Sequence, residues 1–137
     1  MADNKATVER MFDEVINQGR LEVIDDLFDP GFTSETQQGT LDRDGFREFV
    51  RGWRAAFPDV HCEVGDLIAE GDRVAWSVRA TGTHGGDFMG IPATGRRVDF
   101  DSLNIADFRD GRSYRHKVLM DLPALLAQLG VQTSPTP

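Results

Sequence analysis

Pro58 divides this chain into two regimes of hydrophobic periodicity. Before it, apolar residues recur every three to four positions, the period of a helix that buries one face. After it they alternate, the period of a strand with one face on a core. A chain that is helical first and extended afterwards predicts an α+β fold, with helices packed on one side of a mostly antiparallel sheet.

In the helical half, Val8, Met11, Phe12, Val15 and Ile16 predict a helix from Asn4 to Asn17, ended by Gly19. A second, short helix is expected from Leu21 to Phe28, stopped by Asp29-Pro30-Gly31, and Phe32 to Thr40 reads as irregular or edge-like. A third helix starts near Asp42, whose carboxylate can cap free amides. It carries Phe46, Phe49, Val50, Trp53 and Phe57 on one stripe up to Pro58. Such a stripe reads as packing, or as part of the wall of an apolar pocket.

The alternating half predicts strands over Val60–Val64, Asp66–Glu70, Arg73–Thr81, Val98–Phe108 and Ser113–Asp121, with turns at Gly71-Asp72 and Asp110-Gly111. On the third of these, Val74, Trp76, Val78 and Ala80 share one face. A helix from Leu122 to Leu129, stopped by Gly130, closes the domain. One domain is therefore expected over residues 1–130, with a flexible tail over 131–137.

Composition narrows the partners. A net charge of -8 without any basic block disfavours nucleic acid and anionic membrane, which attract clustered lysine and arginine. The single cysteine, Cys62, cannot form an internal disulfide and fits a reducing compartment, so a cytoplasmic protein is expected. Its alternating apolar surroundings suit a buried thiol. The three histidines have no close ligand spacing, and no dinucleotide or phosphate-loop pattern and no nucleophile elbow is present. No metal and no cofactor is expected.

Between the third and fourth predicted strands lies a glycine-rich loop, Thr81-Gly82-Thr83-His84-Gly85-Gly86-Asp87-Phe88-Met89-Gly90-Ile91-Pro92-Ala93-Thr94-Gly95. Together with Ala56-Phe57-Pro58-Asp59, Gly71-Asp72-Arg73-Val74-Ala75, Asp110-Gly111-Arg112 and Leu125-Leu126-Ala127-Gln128-Leu129-Gly130, it resembles the SnoaL-like polyketide cyclases. The resemblance runs over nearly the whole chain. It implies the cone-shaped barrel of the wider nuclear transport factor 2-like group, a bent sheet wrapped over helices. It also implies ring closure of a polyketide by intramolecular aldol chemistry without metal or cofactor, an acidic pocket residue serving as acid or base. Other relatives are described as hydroxylases. Relatives often carry a Trp-Asp pair in the last strand, where this chain has Lys117-Val118.

Candidate catalytic residues are Asp121, His116 and Asp101. Asp121 follows Val118, Leu119 and Met120, and a carboxylate against an apolar wall has its pKa raised into a working range. Asp121-Leu122-Pro123 equally reads as a helix N-cap. His116 can shuttle a proton or donate to an enolate oxygen. Strict alternation points it away from Asp121, unless a bulge intervenes. Asp101 is a second acid if its strand face lines the cone, and Asn104 an orienting donor if the opposite face does. Arg79 reads as a carbonyl-polarising group or the partner of a neighbouring aspartate. Phe12, Trp53 and Met89 are expected apolar walls, and His84 a loop residue that either meets substrate or holds the loop.

Read with the resemblance, which implies the substrate class, these residues lead to the expectation of a small acid/base enzyme acting on a hydrophobic polyketide or polycyclic carbonyl compound. Oxygenation of a similar substrate is the enzymatic alternative, and a non-catalytic binding or dimerising domain the other. A homodimer through an exposed sheet face is expected in each case.

Overall fold

Asp3 starts the first helix by accepting the Ala6 amide at 3.2 Å. In the computed structural model, which describes residues 3–131, this helix is α1 (Asn4–Arg10), continuing as a wider π-helical segment, Met11–Asn17. Val8, Met11, Phe12 and Val15 form its buried face, as their spacing predicts. A 3-10 turn (Leu21–Val23) and a single-turn helix α2 (Ile24–Leu27) follow.

The chain then departs from the sequence reading. Phe28, expected to end the second helix, instead opens strand β1 (Phe28–Thr36), and Gly39–Asp42 forms β2. The segment expected to be irregular or edge-like thus supplies an interior strand, hydrogen-bonded to β2 on one side and to the last strand on the other. Packing accounts for it: Phe28 and Phe32 stack at 4.2 Å, and both meet Phe46 edge-on. Pro30 cannot donate to a ladder, and the register slips between Phe28 and Thr33 around it.

Helix α3 (Arg43–Ala56) begins where Asp42 accepts the Gly45 amide at 2.7 Å. Beyond Pro58 come β3 (His61–Glu70), β4 (Arg73–Thr83), β5 (Arg97–Arg109) and β6 (Arg112–Met120), and α4 (Leu122–Gln128) closes the domain. The two strands expected over 60–70 are one strand with a register shift between Val64 and Leu67. Gly65 sits at the shift, where an added Cβ would lie 2.5 Å from Ser77 Oγ.

The sheet order is β2-β1-β6-β5-β4-β3, antiparallel throughout except for β1 beside β6. Curved over α1 and α3, it gives the α+β cone that the sequence resemblance implies. Two buried clusters fill it. One gathers Val8, Val15, Phe28, Phe32, Phe46 and Trp76. The other gathers Phe57, Val98, Phe100, Leu125 and Leu129 beneath α4. Among the described residues no helix is long and apolar enough to cross a membrane. The expected tail lies outside the described residues apart from Val131.

Candidate functional site

The interior of the cone holds a cavity of about 90 Å³ whose walls come from both buried clusters. Alternation settles which strand faces line it. On β5, Phe100, Ser102 and Asn104 point inward, and on β6 His116, Val118 and Met120 do, while α1 and its continuation bring Met11, Phe12 and Ile16. Helix α3 adds Phe46, Phe49, Val50, Trp53 and Arg54, four-residue steps that keep one helical face turned to the cavity.

Its chemistry is concentrated on two neighbouring strands. His116 Nε2 lies 2.9 Å from Asn104 Oδ1, and Asn104 Nδ2 donates to Ser102 Oγ at 3.2 Å. The ring stacks on Trp76 with centroids 5.4 Å apart and is flanked by Phe46. Burial in this apolar cage pushes the imidazole down to about 4 from the ordinary 6.5, so the ring is neutral at physiological pH. A neutral ring carries one proton. With Nε2–H donating to the amide oxygen, Nδ1 keeps its lone pair, and that atom is buried without a partner among the described residues.

Cys62 and Arg54 also line the cavity. Burial pushes the Cys62 thiol up to about 12, so it stays protonated. Its backbone is held from both sides by Asn17, whose Oδ1 accepts the Cys62 amide at 2.7 Å and whose Nδ2 donates to the Cys62 carbonyl at 3.0 Å. Arg54 Nη1 donates to the Ile16 and Asn17 carbonyls at 2.6 and 3.1 Å, where the first helix ends.

Of the sequence candidates, the structure therefore brings Phe12, Trp53, Asn104 and His116 together and separates the rest. Asp121 is exposed beyond the end of β6 and accepts the Ala124 amide at 3.2 Å as the N-cap of α4. No bulge lies between His116 and Met120, so alternation is unbroken and the two candidates are not realigned. Asp101 lies on the outer face of β5, opposite Arg79 in register. Arg79 grips Asp99 through Nε and Nη2 on that same face, lifting its own pKa and lowering that of the carboxyl. Asp101 points outward because Phe100, Ser102 and Asn104 take the inward positions of β5, and Arg79 because Val78 and Ala80 take those of β4.

Both loop candidates serve the loop. His84 is fully buried, its Nδ1 accepting the Thr94 amide at 3.2 Å with Thr94 Oγ1 at 2.9 Å. The His84 amide and carbonyl pair with the Arg96 carbonyl and the Gly95 amide. Met89 is half exposed at φ 50, against Gln38 Nε2 rather than in the cavity. The sequence reading missed Ser102 and Arg54 as lining residues. Their signal was spacing: Ser102 is two positions from Asn104 on a strand, and Arg54 four from Val50 on a helix.

None of the residues lining the cavity is acidic. On the opposite face of the sheet, Ile68, Leu103, Ile105 and Leu119 are exposed around a broad groove of about 710 Å³.

Comparison with known proteins agrees with this architecture. The family model for SnoaL-like polyketide cyclase matches residues 6–129. No curated protein sequence matches the chain. Among solved structures, IdmH from Streptomyces antibioticus, described as a candidate polyketide cyclase, is 32% identical, with 94% of this chain and 99% of that chain covered and a TM-score of 0.83. AclR from Streptomyces galilaeus, described as a candidate hydroxylase, is 31% identical, with 93% and 95% covered and a TM-score of 0.84. A candidate SnoaL-like polyketide cyclase from a Jannaschia species is 27% identical, with 95% and 93% covered and a TM-score of 0.87. With a family model matched over nearly its full length and relatives of like size and shape, this chain belongs to the SnoaL-like polyketide cyclase family.

Proposed function

We propose that this protein is a polyketide cyclase working without cofactor, in which His116, held by Asn104, moves the proton of an intramolecular aldol closure inside the cone. The observation that carries the reading is the pairing of a neutral, buried imidazole with an amide oxygen at 2.9 Å in a largely apolar cavity without acidic side chains. In the reaction, His116 Nδ1 takes a proton from a carbon beside a carbonyl. The resulting enolate carbon bonds to a second carbonyl carbon of the same molecule, and the new alkoxide takes the proton back. The Ser102 hydroxyl and the Asn104 amide are the donors placed to meet developing negative charge. A low imidazole pKa leaves the lone pair free, and an enolate beside the ring raises its proton affinity during the step.

Phe12, Phe49, Trp53 and Phe100 orient a flat, hydrophobic substrate and exclude water. The cavity is smaller than the roughly 300–1,000 Å³ of pockets that enclose drug-sized ligands, so a polycyclic substrate enters by swinging side chains aside. A second copy of the chain covers the apolar outer face to give a homodimer. The lone protonated Cys62 suits a cytoplasmic step, of the kind that antibiotic biosynthesis uses.

The test is turnover of an uncyclised aromatic polyketide, offered both as its ester and as its free acid, followed by mass and retention of the product. Ring-closed product should form faster than in buffer, and His116→Gln should slow it by about 10²–10⁴. Unchanged turnover in His116→Gln would remove the histidine from the mechanism. The likeness to AclR supports a second reading, oxygenation of a similar substrate. A product heavier by one oxygen atom, formed only with dioxygen present, would favour it.

A further inference from the structure

We infer that the ligand of the cone cavity carries a carboxylate, and that Arg54 receives it. The inference rests on the reading of this cavity as the substrate site and adds the chemical class of what enters. In this acidic chain most arginines stand against a carboxylate, as Arg47 does against Asp25 and Arg79 against Asp99. Arg54 has no carboxylate within 4.0 Å among the described residues. It is the one side chain lining the cavity that carries a fixed positive charge, since the buried His116 ring is neutral, and no acidic side chain lines it. A half-buried guanidinium beside apolar walls gains most from an ionised partner, because neither charge is then well hydrated.

Its placement is also built. The two hydrogens of Nη1 are committed to the Ile16 and Asn17 carbonyls. Gly19, at φ 73, lays bare backbone along the Nε and Nη2 side of the guanidinium, where an added Cβ would lie 2.5 Å from Nε and 3.1 Å from Nη2, so room on that side depends on the glycine. This fixes the group and leaves the Nε and Nη2 edge without an acceptor among the described residues. The same edge of Arg79 holds Asp99 in two-point fashion. A planar carboxylate matches that fork, and a neutral ester or ketone does not. The ligand assigned is thus a hydrophobic aromatic acid, its ring system against Phe12, Phe49 and Trp53 and its carboxylate at the end of the cavity marked by Ile16.

Calorimetric titration with 2-naphthoate and with 2-acetonaphthone, alike in shape but differing in charge, tests this. The parent protein should bind the acid on the order of tenfold tighter or more. Arg54→Gln should bring the ratio to about one while leaving the ketone within about twofold. Should Arg54→Gln fail to fold, Arg54→Lys, which keeps charge but not the fork, should lower the ratio several-fold. Equal affinities in the parent, or a preference that survives Arg54→Gln in a folded protein, would overturn the carboxylate assignment and leave the substrate site standing. Binding of neither probe would remove the cavity as a substrate site, and the assignment with it.

Discussion

His116 and Asn104 face each other across β6 and β5, with Nε2 2.9 Å from Oδ1, as one polar pair inside an aromatic cage. They are not opposite in the ladder, where His116 pairs with Ala106 and Asn104 with Val118. The bond runs diagonally between neighbouring positions of one sheet face, within reach of longer side chains. Removing Asn104 leaves the His116 Nε2 hydrogen without its acceptor, and removing His116 leaves Asn104 Oδ1 without its donor, in a buried site. Asn104→Ala should therefore cost about 1–3 kcal/mol of stability and lower turnover with little effect on the binding of neutral naphthyl ketones. Asn104→Asp should raise the imidazole pKa, read by the shift of the His116 ring signal in NMR titration.

Acid should destabilise the fold through His116 at higher pH than through Asp59 or Asp99. The buried ring is held at about 4, while the unfolded chain takes up its proton near 6.5. Over that interval the unfolded state binds more protons, so the stability present above about pH 6.5 is lost as pH falls and levels off below about 4. The loss is on the order of 3 kcal/mol. Asp59 and Asp99 have lowered pKa values, so their contributions disappear only at more acid pH. Urea midpoints between about pH 7 and 4 should slope in the parent and flatten in His116→Phe.

Leu103 and Leu119 pair across β5 and β6 on the outer face, 63% and 60% exposed, beside Ile68 and Ile105. A glutamate at either position places charge where the proposed second copy sits. Leu103→Glu and Leu119→Glu should each shift the molecular mass by light scattering from dimer to monomer with the fold retained. A parent that runs as monomer throughout would remove the interface.

Asp121 should behave as a cap. Asp121→Ala is expected to cost about 1 kcal/mol and Asp121→Asn no more than a few tenths, because asparagine caps nearly as well. Turnover should stay at the parent level in Asp121→Asn, since the side chain does not line the cavity.

The glycine-rich loop is anchored on the end of α3, where the Gly85 and Gly86 amides both donate to the Ala56 carbonyl, at 2.9 and 3.0 Å. An added Cβ on Gly86 would lie 2.3 Å from the Ala55 carbonyl oxygen, which backbone cannot easily yield. Gly86→Ala should lower the midpoint of thermal unfolding, at a cost of about 1–3 kcal/mol.

Much of this architecture was legible because burial repeats. The heptad-like spacing from Val8 to Ile16 and the alternation from Val74 to Ala80 each name a buried face without reference to the rest of the chain. β1 was not legible, because Asp29-Pro30-Gly31 carries turn chemistry that only the aromatic packing of Phe28 and Phe32 on Phe46 overrides. The site was half legible for a related reason. On β5 both faces mix polar and apolar residues, so Asp101 and Asn104 were equivalent until curvature chose a concave side. Asp121 had two readings in sequence, and chain direction at the end of β6 selected the cap.

The parallel pairing of β1 with β6 bears on how the chain is made. Its partners are Thr33 with Arg115, Ser34 with His116 and Glu35 with Lys117, joining the first strand to the last of the sheet. On the ribosome, α3 can cover the aromatic face of β1 early, but one hydrogen-bonding edge of β1 waits unpaired until β6 emerges, and loop closure over so long a span is slow. The strand that brings His116 into place is thus also the one that completes the sheet. A nascent chain stopped short of β6 would lack both the histidine of the proposed mechanism and the strand that pairs the open edge of β1, an edge free to add to another chain.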